Sequence, residues 1–590
     1  MKRIIIALAI IVVAAVAALL WLLLNRPAPQ AADLLPETTI LLVDAPHIAK
    51  SRAEFRKTAI AALWQEPELR VLLERPLQEF WNTDNGKILA QIADAAQGEA
   101  FFAVTHVAFM PKPTAGLVLG ADLKHNKLKA AATLEYLERQ LASQNPGAKI
   151  ESKDFHGVGY RSWEFQPGYR ICRAFLNSLA VFTLGEDTMH QIITRHTAGK
   201  TGGRSLADSA GYRNAINRLP NHSELTAYLN IEQISGLLGP LLLFSPQGAA
   251  TLEKLTKIQA AGSAFAFTDG GVQEVAFIAY KHAAHKPPPP TSRRSLAFTT
   301  PQTTAYCVRS MDWSKTYTDF LNSVAQAGIA HLTDAVTLFE RAVRQRGVHL
   351  DYTLAALGPE TALIVNWRDS AALPDAALAI QIRHPDTNRP ALDAIMDSIK
   401  DAALGVERQT PWDESQHLGA TIRALNLGPG KLAPAYTVAG NFLIIGPTAD
   451  FVRELVTQHQ SDRPKLADQP YYRKTIARLP VNAYAYNYCH LGDLYLRLAP
   501  FAQRCYGKLP PSDTVTRHLF PYVSASVADD HSDTTTAFSP TGTPVLIGAA
   551  IAGAIPAAPT PIAPKKFSGM AAPLPPPENR TAASQTPTPQ

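Results

Sequence analysis

The sequence predicts an α+β protein: two homologous tandem domains of mainly antiparallel sheet covered by helices, after one N-terminal transmembrane helix. Three observations carry this expectation. LADSAGYRNAINRLP at residues 206–220 returns as LADQPYYRKTIARLP at 466–480, identical at nine of fifteen positions. Around both copies, strand-like and helix-like patterns interleave, with several neighbouring strands separated by short turns. Ahead of both stands an uncharged apolar run from Ile4 to Leu24.

As a helix rising ~1.5 Å per residue, that run is roughly 30 Å long, the thickness of a bilayer core. Lys2 and Arg3 precede it, Arg26 alone follows closely, and Trp21 sits near its outer end. The charge bias favours a cytoplasmic N-terminus. The run exceeds the ~7–15 residues of a signal-peptide core, so an uncleaved signal anchor over residues 1–30 is preferred to a cleaved leader. In either case the rest of the chain lies outside the cytoplasm.

The first repeat is placed at 34–281. It opens with a strand (TTILLVD) and a helix in which Ser51 and Glu54 form a capping box, with Phe55, Ala59, Ile60 and Leu63 on one face. Strands AFFAVTH and AGLVLGAD follow, then a helix with Leu134, Leu137 and Leu141 at helical spacing. Short strands around HGVGYRSWEF lead to an apolar strand and a further helix. The shared LAD element places Asp208 at a helix N-cap, Tyr212, Ile216 and Leu219 on one face, and Pro220 at the stop. A strand and a helix come next, and the hairpin SAFAFTDGGVQEVAFIAY closes the repeat. Asp269-Gly270 supplies its turn.

The second repeat, 299–540, reads in the same order. The alignment sets Pro36 against Pro301, Val43 against Val308, Lys50 against Lys315, Phe55 against Phe320, Gly98 against Gly358, and TAYLNIEQI against YNYCHLGDL. It also pairs Asp208 with Asp468, and VSASVADDHSDTTTAFS answers the closing hairpin. The offset drifts only between about 260 and 265, as indels in loops would produce; a repeat this long is a whole domain rather than a solenoid unit. Residues 282–298, with four consecutive prolines, read as a stiff spacer. Residues 541–590 are Pro/Ala-rich and cannot bury enough apolar surface to order, apart from a docked strand or helix at Val545–Ile555.

Composition is ordinary for a globular chain of 590 residues: 46% hydrophobic, 18% charged, with a formal charge of +6. Basic residues are scattered among acidic ones, so there is no stripe for a nucleic acid. The four cysteines, Cys172, Cys307, Cys489 and Cys505, allow three pairings. Cys489 with Cys505 is the favoured pair on sequence proximity, and buried free thiols are the alternative. No C-x-x-C occurs.

LLPETT near the start, WQEPEL at Trp64–Leu69 and the two LAD elements together resemble an uncharacterised family of signal-anchored bacterial envelope proteins, a domain of unknown function, duplicated in tandem here. The resemblance covers most of residues 34–540, although the second copy has no evident counterpart of WQEPEL. It implies a single-pass protein of the inner (cytoplasmic) membrane with its bulk periplasmic, and it carries over no catalytic residues.

Chemical motifs are sparse. AGKTGGRS has G-K-T, but a phosphate loop would need an earlier glycine where Thr194 stands, and a helix precedes it; a loop is expected and no nucleotide. No nucleophile-elbow or H-E-x-x-H motif occurs. His282 and His285 form a lone H-x-x-H without a carboxylate, so neither metal nor cofactor is expected. The polar residues shared by the copies are the candidates for a symmetric ligand site: Asp208, Tyr212 and Arg213 with Asp468, Tyr472 and Arg473. Arg218/Arg478, Tyr228/Tyr488 and His156/His417 accompany them. The structural alternative has Asp capping, Tyr packing and Arg covering the last helical turn. The function expected is a non-enzymatic binding or scaffold protein that contacts the membrane and other envelope proteins. An envelope hydrolase with an unrecognised site and a membrane-complex subunit are the alternatives.

Overall fold

A computed structural model describes residues 30–543, apart from 71–93 and short stretches at 110–112, 145–148, 167–168, 221, 284–286, 329, 370, 405–409, 429–432 and 507–509. The Ile4–Leu24 run, the Val545–Ile555 run and His285 therefore lie outside the described residues. No helix among the described residues is long and apolar enough to cross a membrane.

Among the described residues, twenty strands form one sheet. The first ten are β1 (Leu41–Ala45), β2 (Ala100–Ala108), β3 (Thr114–Asp122), β4 (Lys149–Phe155), β5 (Val158–Gln166), β6 (Tyr169–Leu176), β7 (Leu179–Leu184), β8 (Leu225–Leu229), β9 (Ile258–Thr268) and β10 (Gly271–Tyr280). The next ten are β11 (Ala305–Ser310), β12 (Leu357–Asn366), β13 (Asp375–Ile382), β14 (Trp412–His417), β15 (Ala420–Leu425), β16 (Ala435–Ala439), β17 (Phe442–Gly446), β18 (Ala485–Cys489), β19 (Tyr522–Ala528) and β20 (Ser532–Ser539). Every pairing is antiparallel. The order runs β4-β5-β6-β7-β3-β2-β1-β8-β9-β10, crosses to β20, and returns as β19-β18-β11-β12-β13-β17-β16-β15-β14. The pairing order of the first half is thus repeated in the second.

Two separate sheets were expected, each covered on one side. The structure instead joins them through β10 and β20, which pair from Val272↔Ser539 to Ala279↔Ser532. Adding 260 to each β10 number gives its β20 counterpart, so every pair has a mirror-related pair. This is the self-complementary contact of a twofold dimer, made inside one chain. Charges repeat the symmetry: Arg218 meets Asp529 at 3.2 Å, and Arg478 meets Asp269 at 2.7 Å. The Arg478 guanidinium also lies 4.4 Å from the centre of the Phe538 ring. Gly271 is needed at the seam, because a Cβ there would sit 2.7 Å from the Ser539 carbonyl and 2.6 Å from the Phe520 ring. Glu66, in WQEPEL, adds a further tie to Arg517 (2.5 Å) and His518 (2.6 Å) of the other half, and these bonds hold its carboxyl below the usual range. Exposed ion pairs contribute little and a cation over a ring somewhat more, so Arg478→Ala is expected to cost about 1 kcal/mol and Arg218→Ala less than half of that by thermal melts.

Opposed residues place both cores on one face: Val275 and Phe277 of the first core face the same way as Phe538 of the second, across Val275↔Thr536 and Gln273↔Phe538. The Glu186–Ala198 and Ala210–Ile216 helices cover this face in the first half, and Ala449–Gln460 and Pro470–Ile476 cover it in the second. The opposite face is covered further out. Ala130 and Leu123 pack on Ala180, while Leu392 and Met396 pack on Ile380 and Leu443. The sheet is therefore helix-covered on both sides. Charged residues blunt the outer edges, with Lys149 and Glu151 exposed on β4 and Asp413 and Glu414 on β14.

Local expectations met mixed outcomes. The Asp269-Gly270 turn has φ of 48° and 79°, as a two-residue hairpin of this hand requires. Ser51 caps nothing: the helix starts at Ile48 and Ser51 Oγ donates back to the His47 carbonyl at 3.0 Å. The helix then breaks, and Thr58 caps a second one over Ala59–Gln65 by accepting from the Ala61 N–H. In β1, Asn230 N donates to Ile40 where His490 N donates to Thr304. Leu42 therefore corresponds to Tyr306, and Val308 to Asp44 rather than Val43; a one-residue slip would turn each side chain to the other face. Residues 291–298, assigned to the spacer, belong to the second half: Thr291 N bonds the Ala483 carbonyl, and Phe298 is fully buried.

Candidate functional site

The shared residues serve local structure. Asp208 accepts the N–H and hydroxyl of Ser205 (3.0 and 2.9 Å), and Asp468 accepts the Lys465 N–H at 3.0 Å. Each closes a single 3-10 turn, Leu206–Asp208 or Leu466–Asp468. The N-cap of the following helix is the next residue, Ser209 or Gln469, not the aspartate. Tyr212 stacks edge-on to Tyr228 at 5.1 Å, and Tyr472 to Tyr488 at 5.4 Å, which packs both helices on the sheet. Burial raises the hydroxyl pKa of Tyr212 and of Tyr472. Arg473 turns back onto Asp468 at 2.8 Å, whereas the Arg213 side chain is exposed. The two sets sit on separate halves, so they line no common site. His156 and His417 are not equivalent: the hairpin turns are His156-Gly157 and Leu418-Gly419, and His417 Nε2 bonds Thr457 Oγ1 at 2.8 Å.

Gly199–Gly202, in the G-K-T segment, is a 3-10 turn after a helix, so the strand-to-loop geometry of a phosphate site is missing there. Cys172, Cys307 and Cys489 are free thiols. Cys489, on β18, is free and so does not form the favoured bridge. Burial raises all three thiols, Cys489 to about 11, which makes them poor nucleophiles. No group of three His, Cys, Asp or Glu among the described residues could hold a metal ion.

Two titratable clusters escaped the sequence reading. On the core face of β1, the Asp44 carboxyl hydrogen-bonds that of Glu99, which also accepts the Ala31 N–H at 3.1 and 3.2 Å. Asp122 and Asp33 lie near enough to act on Glu99, and Tyr212 feels both carboxyls. Burial first, and the neighbouring charge second, raise Asp44 far above the usual 3.8, toward 8. The folded state then holds a proton that the unfolded chain releases at lower pH. This stability is present below pH 4 and is lost as pH rises toward 8. Asp44→Asn keeps a donor for Glu99 without the charge. It should raise stability at pH 8 by about 1–3 kcal/mol and flatten that decline, as urea melts from pH 5 to 9 would show. The second cluster centres on Glu186, which accepts from Lys153 (2.8 Å), Tyr160 (2.5 Å) and Arg170; burial opposes its charge, but these donors prevail and lower it to about 2.

A cleft of about 480 Å³ opens in the second half, between residues 300–303, the end of β12 and the first turns of the Leu491–Tyr506 helix. His490 begins this helix by accepting the Asp493 N–H on Nδ1 at 3.0 Å, which leaves the ring proton on Nε2. Asp493 accepts from Thr304 Oγ1 (2.8 Å) and Arg497 Nη2 (3.0 Å), and Arg497 also pairs with Asp369. Arg368 pairs with Glu454 at 3.1 Å. Trp367 is fixed by its indole N–H on the Ala371 carbonyl at 3.1 Å. The corresponding recess in the first half, about 210 Å³, is lined by His106, Gln233 and Leu237. Strand and helix registers match these to Trp367, Asp493 and Arg497. One recess is thus built twice and charged once.

The fold and cleft define an α+β protein with a single antiparallel sheet and a preformed polar recess, a class to which no one reaction belongs. A family model described as "Protein of unknown function (DUF3352)" matches residues 11–276. No curated protein matches the chain. Solved structures similar to part of it include crystal form IV of TP0453, 10% identical, covering 43% of this chain and 82% of that one at a TM-score of 0.24. Crystal form III of TP0453 is 11% identical and covers 43% and 80% at 0.23.

Proposed function

We propose that the chain is a non-enzymatic binding or scaffold protein of the cell envelope, built from a tandemly duplicated domain and held at the membrane by Ile4–Leu24, with its bulk periplasmic. The observation that carries the binding reading is the difference between the two recesses. Where the halves otherwise share their pairing order, only the second carries Trp367, Asp493 and Arg497. The carboxylates there are already hydrogen-bonded to arginines or a hydroxyl, which suits recognition better than proton transfer. The apolar run with Lys2 and Arg3 before it supports the anchor and its orientation.

Cross-linked co-purification from native membranes tests this reading, comparing the native chain with one carrying a foreign anchor. A stoichiometric partner retained by both versions is expected. A partner lost with the native anchor would favour a membrane-complex subunit instead. Absence of any partner, together with turnover of a wall or lipid substrate, would replace the scaffold reading with the hydrolase.

A further inference from the structure

We propose that the second-half cleft binds an uncharged, hydroxyl-rich ligand, a saccharide, against the Trp367 ring. The inference deepens the binding reading above and rests on it. Three properties of the cleft select this chemistry. The first is charge. Arg368 and Arg497 face Asp369, Glu454 and Asp493, and each arginine is already paired with carboxylates. Among the described lining residues neither arginine is left unpaired for a phosphate or carboxylate, and the two arginines against three carboxylates leave one surplus negative charge, which disfavours anions.

The second property is the hydrogen-bonding inventory. Asp493 and Arg497 are planar, mutually oriented groups, with 22% and 18% of their side chains exposed. Both retain free donor or acceptor positions. Asn366, only 7% exposed, also lines the cleft. Ligand hydroxyls, which both donate and accept, match this mixture; an apolar ligand would leave it unsatisfied.

The third property is the aromatic surface. Trp367 is half-buried and its indole N–H is held by Ala371, so the ring is fixed before any ligand arrives. A fixed apolar face beside planar polar groups suits the C–H face of a pyranose. The volume of about 480 Å³ lies within the ~300–1,000 Å³ of small-ligand sites. The first half supplies an internal control, with His106, Gln233 and Leu237 in place of this trio.

The test uses the full-length protein in detergent, applied to an array of neutral hexose, pentose and N-acetylhexosamine oligomers, with uronate and phosphosugar oligomers beside them. Binding of at least one neutral oligomer is expected, insensitive to salt between 0.05 and 0.5 M (about a threefold change in Debye length). The triple variant W367H/D493Q/R497L, which installs the first-half residues, should bind it at least tenfold more weakly at an unchanged thermal midpoint. Should the triple variant melt early, Trp367→Ala against Trp367→Phe decides, with phenylalanine retaining most of the binding. Binding by no neutral oligomer, salt-sensitive binding of the charged ones alone, or equal binding by the variants would each overturn the proposal. A free sugar and a wall polymer are separated by the chain length needed for binding. Partner capture by the triple variant separates the two readings: protein partners retained without sugar binding sink only the saccharide.

Discussion

Replacing Ala276 by proline is expected to lower the unfolding free energy by about 3 kcal/mol or more and to separate the melting of the two halves. Ala276 sits in β10 between Ser263 of β9 and Thr535 of β20, in the tenth of twenty consecutive strands. A central strand has no solvent side to which a missing N–H can be turned, so proline removes a ladder bond and its ring displaces a neighbour. The damage falls on the strand that joins the halves: the first core is loosened at Val275 and Phe277 beside the proline, while Phe298, Phe451 and Val523 of the second core are untouched. Calorimetry on the solubilised chain should show one transition becoming two. A single transition, shifted as a whole or unmoved, would mean that the halves are not coupled through this strand pair.

Glu138→Ala is expected to cost about 3–5 kcal/mol. Glu138, on the Lys127–Gln144 helix, is 3% exposed and meets Arg173 of β6 at 2.7 Å, with Arg161 of β5 on its other oxygen. Burial lowers the Arg173 pKa even with the carboxylate present. Without it, the buried Arg173 guanidinium would lose its ion-pair partner and face the half-exposed Arg161, with only the more distant Glu135 to offset the charge. The cost comes from stranding charge, not from losing a favourable pair. The double variant E138L/R173M, which removes charge of both signs, should therefore recover most of the loss. Urea denaturation of the three proteins distinguishes the two explanations. The second half uses the same device, with Arg423 of β15 joined to Asp393 of the covering helix and to Glu414.

Much of the local fold was legible because it rests on short-range rules. The hairpin turn at Asp269-Gly270 and the helix over Lys127–Gln144 follow from backbone preference and periodicity. The seam does not. Nothing in GVQEVAFIAY distinguishes a strand that will pair with residues 260 positions away from one that will lie at an edge. A signal existed in Arg218/Arg478 and Asp269/Asp529, which recur together, but their partnership crosses between copies. The slip in β1 has another cause: LLVD is apolar almost throughout, so it carries no alternation to fix its face. The cleft is not marked by residues the halves share, since its working positions are those at which the aligned halves differ, Gln233 against Asp493 and Leu237 against Arg497. Asp208 and Asp468 were recognised as caps and misplaced by one residue, because a 3-10 turn precedes each helix.

The most direct test of the joined sheet is amide hydrogen exchange in the full-length protein, read over residues 272–279 and 532–539. A continuous sheet predicts that both segments exchange as slowly as β1 and β11, only through global unfolding. Fast exchange of both, comparable with the edge strands β4 and β14, would contradict it and return the chain to two separate domains on a spacer.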